Sequence, residues 1–191
     1  MGGITLADMT AAGAYLEGHF KLSSGLHSAR YLQCALYLAD PGRAEAAGRQ
    51  LAARLKAVCP QLVVAPALGG VIIGHEVARA LDVPFFFTER TDGVMQLRRG
   101  FAIEKGTRAL IVEDVVTTGG STREVMESVK AQGGVVVGVG AMANRSSQEN
   151  PFAPLPFAAL LAVEIPTWQP DACPLCAEGK PVTKPGSRAS M

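Results

Sequence analysis

The sequence predicts an α/β fold built on a doubly wound, mainly parallel sheet. Five short segments that are apolar almost throughout alternate with stretches in which apolar residues recur at helical spacing. Continuously apolar strands are typical of a parallel sheet buried on both faces, because the crossover helices cover each face. The 191 residues contain no internal repeat and no dividing linker, so we expect a single domain over residues 1–191.

The predicted elements follow in order along the chain. Helical spacing predicts helices at residues 5–17, 42–58, 71–81 and 121–132. Apolar segments predict strands at residues 62–65, 85–88, 109–113, 135–141 and 158–163. Asp92-Gly93 predicts a hairpin turn after the second of these strands. Residues 166–191 are rich in proline and lack periodicity, which predicts a tail packed on the surface.

Net charge, hydropathy and cysteine content limit the classes of protein to which this chain can belong. The formal net charge of +1 gives no overall field that would attract nucleic acid or an anionic membrane. No apolar run approaches the roughly 20 residues that span a bilayer, and the first residues lack the basic stretch of a signal peptide. We therefore expect a cytoplasmic protein without nucleic-acid or membrane partners. The four cysteines are too few to form a disulfide framework in a chain of this length.

The segment ALIVEDVVTTGGSTRE, Ala109 to Glu124, is the most informative part of the chain. Its apolar strand ends in Glu113 and Asp114, and a loop of threonines and glycines leads into a helix. Amides of such a loop can bind an anion, and the carboxylates can accept from sugar hydroxyls or hold a metal. Ser121 and Glu124 also have the spacing of a capping box, which would satisfy the amides without a ligand. Adjacent carboxylates repel each other and need partners, which favours a sugar-phosphate site.

The same segment resembles the phosphoribosyl-diphosphate (PRPP) motif of the type I phosphoribosyltransferases, in which two acidic and two apolar residues precede Thr-x-Gly-x-Ser/Thr. The resemblance implies that the carboxylates hold the ribose 2′- and 3′-hydroxyls and that the loop binds the 5′-phosphate. The PRPP-binding residues expected from this motif are Glu113, Asp114, Val115, Val116, Thr117, Thr118, Gly119, Gly120 and Ser121. It further implies the type I phosphoribosyltransferase fold, with a small N-terminal hood over residues 1–40. The implied cofactor is Mg²⁺, bound through PRPP rather than by the protein alone.

Two further loops are expected to face the same site. Gly69 and Gly70 precede a helix, as in any tight strand-to-helix turn, and the resemblance implies that the backbone at Gly69 binds the diphosphate. The family often has a Lys or Arg in this loop, where this chain has Leu68 and Gly69.

The loop at residues 89–100 holds three arginines, which could equally be ordinary surface residues. A leaving diphosphate needs cations, and orotate phosphoribosyltransferases close a basic loop over the site at this point. Because this loop contains no lysine before Lys105, we expect Arg98 or Arg99 to act in catalysis together with Asp114, and Arg90 to contact PRPP.

The acceptor is indicated by two other segments. FKLSSGLHSARYLQCA, Phe20 to Ala35, predicts a β-hairpin and resembles the hood segment of the orotate phosphoribosyltransferases. The lysine usual in that segment aligns with Ser23, and Lys21 is the nearest substitute. Arg145 follows the fourth strand, where those enzymes place an arginine on the base, although most strand-end arginines face solvent. The expected orotate-binding residues are Thr117, Arg145, Tyr31, Leu32 and Lys21.

The tail contains Cys173-x-x-Cys176, which is half of a four-ligand zinc site. His19, His27 and His75 are isolated in the sequence, so none is expected to be a metal ligand. The favoured interpretation is a dithiol pair in a turn, with a metal or an inter-subunit contact left open.

Taken together, the resemblance implies an enzyme that transfers the phosphoribosyl group of PRPP to orotate in pyrimidine (UMP) biosynthesis. It also implies a homodimer in which each basic loop reaches the neighbouring site. Two alternatives are a purine phosphoribosyltransferase and a non-catalytic PRPP-sensing regulator. A purine enzyme normally stacks its base on an aromatic residue where Arg145 stands, and a regulator usually needs a basic face or an added nucleic-acid-binding domain.

Overall fold

The computed structural model describes residues 3–22 and 24–184. The strands of these residues are β1 (Tyr15–Lys21), β2 (His27–Leu32), β3 (Leu62–Pro66), β4 (Phe85–Thr91), β5 (Val94–Leu97), β6 (Arg108–Val116), β7 (Val135–Asn144), β8 (Phe157–Ala162) and β9 (Thr167–Trp168). The helices are α1 (Leu6–Ala11), α2 (Cys34–Leu38), α3 (Pro41–Leu55), α4 (Gly70–Leu81), α5 (Gly120–Ala131) and α6 (Pro174–Ala177). No helix within the described ranges has the length and apolar character to cross a membrane.

The larger sheet confirms the predicted fold class. Its strand order is β5-β4-β3-β6-β7-β8. β3, β4, β6, β7 and β8 are parallel, and the edge strand β5 is antiparallel to β4. These five parallel strands are the five that the apolar segments predict, and several extend further at their carboxyl ends than predicted. Helices α3, α4 and α5 match the predicted helices, with α3 ending at Leu55 and continuing as a 3-10 turn.

The sheet is covered on both faces, as the apolar strands require. Along β3, Val63 belongs to a core shared with Leu51 of α3 and Ile73 of α4. The next residue, Val64, belongs to a second core on the opposite face, which is shared with Val125 of α5. All five side chains are fully buried. Because successive residues of a strand point to opposite faces, an apolar residue at every position is needed to fill both cores.

The hood is a small second sheet with strand order β1-β2-β9. β1 and β2 form the predicted antiparallel hairpin, with Tyr15 opposite Leu32. β9 comes from the tail and pairs with β2, where Trp168 lies opposite His27. The tail is therefore the third strand of the hood sheet as well as a surface segment. Its last residues, 185–191, lie outside the described residues.

The predicted helix at residues 5–17 is wrong over its second half. A capping box between Thr5 and Asp8 starts α1, but the helix ends at Ala11. Gly13 has a φ of +67°, which turns the chain out of the helix. The apolar residues after it belong to β1, where cross-strand pairing with β2 decides the conformation. Helix α2 was not predicted.

Candidate functional site

The site lies at the topological switch point of the large sheet. In the large sheet, β4 lies on one side of β3, and the next parallel strand along the chain, β6, lies on the other side. Ligands of open α/β sheets bind beyond the carboxyl ends of the strands at such a point. The loop after β3 contacts the carboxyl end of β6 there, because a Cβ built on Gly69 would lie 2.4 Å from Asp114 Oδ2.

The loop between β6 and α5 forms a cradle of backbone groups. Gly119 has a φ of +75° and occupies the N-cap position of α5 without a side-chain cap. A Cβ on Gly119 would lie 2.9 Å from both Arg123 Nη1 and Phe152 Cε1, so conformation and packing both require glycine. Arg123 donates to the Thr118 carbonyl at 2.6 Å and to the Pro151 carbonyl at 2.7 Å. Arg123 therefore fixes the loop while the first amides of α5 lack intrahelical partners.

The predicted capping box at Ser121 and Glu124 is wrong. Ser121 lies inside the first turn of α5, and its hydroxyl donates to Glu113 Oε2 at 2.8 Å. Glu124 instead pairs with Arg90, whose Nη2 lies 2.6 Å from Glu124 Oε2. No side chain caps α5 at its N-cap position. Apart from the Gly120 amide, which donates to the Thr118 hydroxyl at 3.4 Å, the first amides of the helix are left for another acceptor, and a phosphate is well suited to that position.

Glu113 and Asp114 differ in environment although they are adjacent. Glu113 is buried, and its pKa is raised well above the ordinary value, first by burial and then by the charge of Asp114. Asp114 is partly exposed, and its Oδ1 accepts from the Val115 amide at 2.7 Å. Burial therefore disfavours ionisation of Glu113, whereas the side chain of Asp114 remains partly open to solvent.

The hood brings side chains over this acidic pair. Cys34, at the start of α2, donates to the Asp114 carbonyl through its thiol at 3.9 Å. Burial raises the pKa of Tyr31, and the negative charge of Asp114 raises it further. The Tyr31 hydroxyl is thus within electrostatic reach of the PRPP motif, although the two are far apart in sequence.

Arg145 faces the same space with part of its side chain unpaired. Its amide donates to the Val116 carbonyl at 2.7 Å, which fixes the residue at the end of β7 beside β6. Its Nε is buried and has no hydrogen-bond partner among the described residues. Burial lowers the pKa of Arg145, while neighbouring Tyr31 and Tyr15 oppose that shift. This buried Nε is a hydrogen-bond donor that remains available to an acceptor from outside the chain.

The arginine loop forms the predicted hairpin, with φ values of +49° at Asp92 and +84° at Gly93. Arg99 donates two hydrogen bonds of 2.8 Å to the Glu89 carboxylate. Arg98 has a weaker partner, the Thr91 hydroxyl at 3.3 Å. The structure therefore holds Arg99 in a bidentate ion pair and leaves the guanidinium of Arg98 less committed.

The remaining predicted residues have different positions. Leu32 is buried in the core under the hood, so only its backbone is available to a ligand. Lys21 and Thr117 are exposed, and the Lys21 amide pairs with the Thr183 carbonyl of the tail at 2.8 Å. Leu68 is 83% exposed and directly precedes Gly69. The alignment of Ser23 with the family lysine lies outside the described residues.

The interpretation of every histidine as isolated is wrong for two of the three. His19 and His27 of the hood meet Cys173 and Cys176 of the tail, with one potential ligand atom of each residue within 4.8 Å of the others. His75 lies elsewhere, against Phe85.

The fold, the anion cradle and the acidic pair define a phosphoribosyl transferase domain, and residues 38–152 match the family model of that description. The chain is 54% identical over 177 residues to the orotate phosphoribosyltransferase of Carboxydothermus hydrogenoformans, and the alignment covers 92% of each chain. It is 49% identical over 176 residues to the orotate phosphoribosyltransferase of Thermotoga maritima, covering 92% of this chain and 94% of that relative. The chain therefore belongs to the orotate phosphoribosyltransferase family.

Solved structures agree with the fold at lower identity. The orotate phosphoribosyltransferase of Aeropyrum pernix has a TM-score of 0.71 at 24% identity, over 83% of this chain and 94% of that chain. The adenine phosphoribosyltransferase of Thermoanaerobacter pseudethanolicus has a TM-score of 0.62 at 18% identity, over 70% of this chain and 88% of that chain. Both likenesses support the type I phosphoribosyltransferase fold.

Proposed function

We propose that the protein transfers the 5-phosphoribosyl group of PRPP to orotate and releases orotidine 5′-monophosphate and diphosphate. Membership of the orotate phosphoribosyltransferase family supports this activity. The observation in the site that carries it is Arg145, a half-buried guanidinium whose Nε lacks a partner among the described residues. Orotate is a carboxylate, and a guanidinium is suited to bind one.

The donor would occupy the cradle of the PRPP motif. The amides around Gly119 and Gly120 would bind the 5′-phosphate, because the start of α5 offers donors and a partial positive charge. Asp114 would accept from a ribose hydroxyl, and the carboxyl of Glu113 would hold the second hydroxyl from its buried position. The backbone at Gly69, which lies against the Asp114 carboxylate, would lie along the diphosphate.

Orotate would lie between Arg145 and the hood. Tyr31 and the backbone at Leu32 would cover it from the hood, and Thr117 and Lys21 are the further contacts implied by family resemblance. The base nitrogen of orotate would attack ribose C1 as the bond to diphosphate breaks, and the proton of that nitrogen would pass to water or to the departing diphosphate. Because the acceptor is already anionic, the protein chiefly orients the two substrates and stabilises the leaving charge.

The leaving diphosphate would be stabilised by the arginine loop. Arg98 is the less committed guanidinium, Arg99 is held by Glu89, and Arg90 is held by Glu124. If Arg99 or Arg90 left its glutamate to bind the diphosphate, its guanidinium would exchange a carboxylate partner for a phosphate partner. In the homodimer that we propose, this loop would act in the neighbouring site.

Mg²⁺ fits the donors that are present. The Asp114 carboxylate forms no ion pair within the described part of the chain, and Mg²⁺ prefers such oxygen ligands. We propose that it arrives with PRPP and is shared with Asp114 rather than bound by the protein alone. When bound, it would neutralise charge on the diphosphate. The cytoplasmic location expected from the sequence stays a prediction.

A direct assay tests the proposal. Orotate absorbance is followed with PRPP and Mg²⁺ together and with each omitted, and a panel of purine bases is tested in parallel with orotate. We expect loss of orotate only when PRPP is present. Turnover of a purine but not orotate would favour a purine phosphoribosyltransferase. PRPP binding without turnover of any base would favour a sensing regulator.

A further inference from the structure

Four potential metal ligands meet where the C-terminal tail crosses the hood. His19 lies on β1, His27 begins β2, and Cys173 and Cys176 flank the start of the short helix α6. His19, His27 and Cys173 are buried, whereas Cys176 is exposed. The irregular register between Glu17 and Phe20 lets consecutive residues His19 and Phe20 both be buried, which places the His19 ring under the tail.

The distances between the ligand atoms are close to those of a tetrahedral zinc site. Bonds of about 2.05 Å to nitrogen and about 2.3 Å to sulfur give edges of about 3.3 Å between nitrogens, and about 3.6 Å between nitrogen and sulfur. The His19 Nε2 atom lies 3.5 Å from Cys173 Sγ and 3.7 Å from Cys176 Sγ. His27 Nδ1 lies 3.3 Å from Cys176 Sγ and 2.9 Å from His19 Nε2. These four of the six distances lie within about half an ångström of the tetrahedral values. The other two are no longer than 4.8 Å, so closing the longest distance by about an ångström would complete the tetrahedron.

The surroundings orient at least one of the ligands. His19 Nδ1 lies 2.8 Å from the Lys180 carbonyl, which accepts its N–H and leaves Nε2 with a free lone pair towards the cysteines. Metal-bound histidines commonly donate their other N–H in this way. The Cys-x-x-Cys spacing is that of zinc-binding turns, and two thiolates with two imidazoles favour zinc over the oxygen-preferring Mg²⁺.

We propose that His19, His27, Cys173 and Cys176 bind one structural zinc ion that joins the tail to the hood. Four protein ligands would complete the tetrahedron, so the site would be structural rather than catalytic. The zinc would reinforce contacts that already join these segments, including the Thr183 amide to the His19 carbonyl at 2.8 Å. The exposed side of Cys176 provides an entry path for the ion. This site is independent of the proposed activity.

Metal content tests the proposal on the full-length chain. The protein is purified under reducing conditions, freed of metal with a chelator, and titrated with Zn²⁺ and separately with Co²⁺. We expect about one tightly bound Zn²⁺ per chain. We also expect Co²⁺ to give the intense visible bands of tetrahedral coordination and a thiolate-to-metal charge-transfer band. Octahedral Co²⁺ spectra, or no tight binding, would overturn the proposal in favour of a dithiol pair beside two hydrogen-bonded imidazoles.

Matched variants assign the binding to these residues. Cys176→Ser changes an exposed ligand, and His27→Gln removes an imidazole, so both should reduce bound zinc at least about tenfold. Cys59→Ser and His75→Gln change an exposed cysteine and a histidine outside the cluster, and both should keep the wild-type zinc content. Circular dichroism of each variant separates loss of the site from loss of the fold. Equal zinc content in folded Cys176→Ser, His27→Gln and wild-type protein would contradict the assignment.

Discussion

The carboxylate of Asp114 lies directly against the backbone of Gly69. A Cβ at Gly69 would be 2.4 Å from Asp114 Oδ2 and 2.6 Å from its Cγ, closer than atoms can approach. The absence of a side chain at Gly69 therefore allows the loop after β3 to touch the acidic end of β6. This contact joins the loop proposed to bind diphosphate to the carboxylate proposed to bind ribose.

Gly69→Ala should weaken PRPP binding. The added methyl group must displace the Asp114 carboxylate or the loop backbone, so we expect the KM for PRPP to rise more than the KM for orotate. Steady-state kinetics with each substrate varied in turn measures this difference. Gly3→Ala is the matched control, because no atom lies within 4 Å of a Cβ built there. Unchanged PRPP kinetics in the Gly69 variant would contradict the proposed role of this contact.

Asp114→Asn should lower kcat/KM about 10²- to 10³-fold, by analogy with the loss of one group that stabilises a transition state. The amide keeps the shape of the side chain and removes the charge that we propose to interact with the ribose hydroxyls and Mg²⁺. Rates are measured at saturating and limiting PRPP. Asp82→Asn is the control, because Asp82 is an exposed helix cap with a positive φ that asparagine accepts. A rate within about twofold of wild type would argue against the role of Asp114.

Arg145→Met should separate binding from stability. We expect the KM for orotate to rise roughly 30- to 700-fold, which corresponds to a loss of about 2–4 kcal/mol. The free protein should be at least as stable as wild type, because the variant removes a buried Nε without a partner. Orotate kinetics and thermal unfolding of the ligand-free protein test both parts. Arg49→Met, on the exposed face of α3, should leave orotate binding unchanged. Strong destabilisation without loss of orotate binding would indicate a structural arginine.

Arg98→Ala should lower kcat roughly 10- to 100-fold, and Arg99→Ala should also lower it. We expect the larger effect at Arg98, because Glu89 already holds the guanidinium of Arg99. Turnover at saturating substrates measures both variants, with Arg49→Ala as the control for loss of a surface arginine. Wild-type turnover in both loop variants would remove this loop from the mechanism.

Glu113→Gln should flatten the dependence of stability on pH. Burial and the charge of Asp114 raise the pKa of Glu113 above its ordinary value of 4.5, so the folded protein keeps a proton that the unfolded chain releases. The free energy of unfolding should therefore fall as pH rises above that ordinary value, by at most about 1.4 kcal/mol per pH unit, until the folded pKa is passed. Glutamine cannot titrate, so the variant lacks this contribution to the pH dependence of the free energy of unfolding. Denaturant unfolding across this range compares the variant with Glu104→Gln, an exposed control. Equal slopes in all three proteins would contradict the prediction.

The large sheet could be predicted from sequence because its strands are locally distinct. A strand such as Leu62–Pro66 is apolar at every position, and Gly70 marks the start of the following helix. The PRPP motif was equally local, since its nine residues are contiguous. Where a local sequence pattern was compatible with more than one structure, contacts between distant residues determined which structure formed. Ser121 has the sequence spacing of a helix cap, yet its hydroxyl is held by the buried Glu113.

The hood and tail could not be predicted in the same way. Leu16 fits helical spacing, and only pairing with β2 makes it part of a strand. His19 and Cys173 are separated by 154 positions and come together through the path of the whole chain. Neither residue carries a local signal for the other. The isolated Cys-x-x-Cys pattern was the one available indication of a four-ligand cluster.

The hood sheet also sets an order of events during synthesis. β1 and β2 lie among the first 32 residues, but their third strand is Thr167–Trp168 and Thr183 bridges to Phe20. A ribosome-bound chain can therefore assemble the large sheet before it can complete the cover of its own active site. Chains that terminate before residue 167 would leave β2 as an open edge, prone to pairing with other chains and to proteolysis. Only a chain whose synthesis has passed Trp168 can therefore form the complete three-stranded hood sheet.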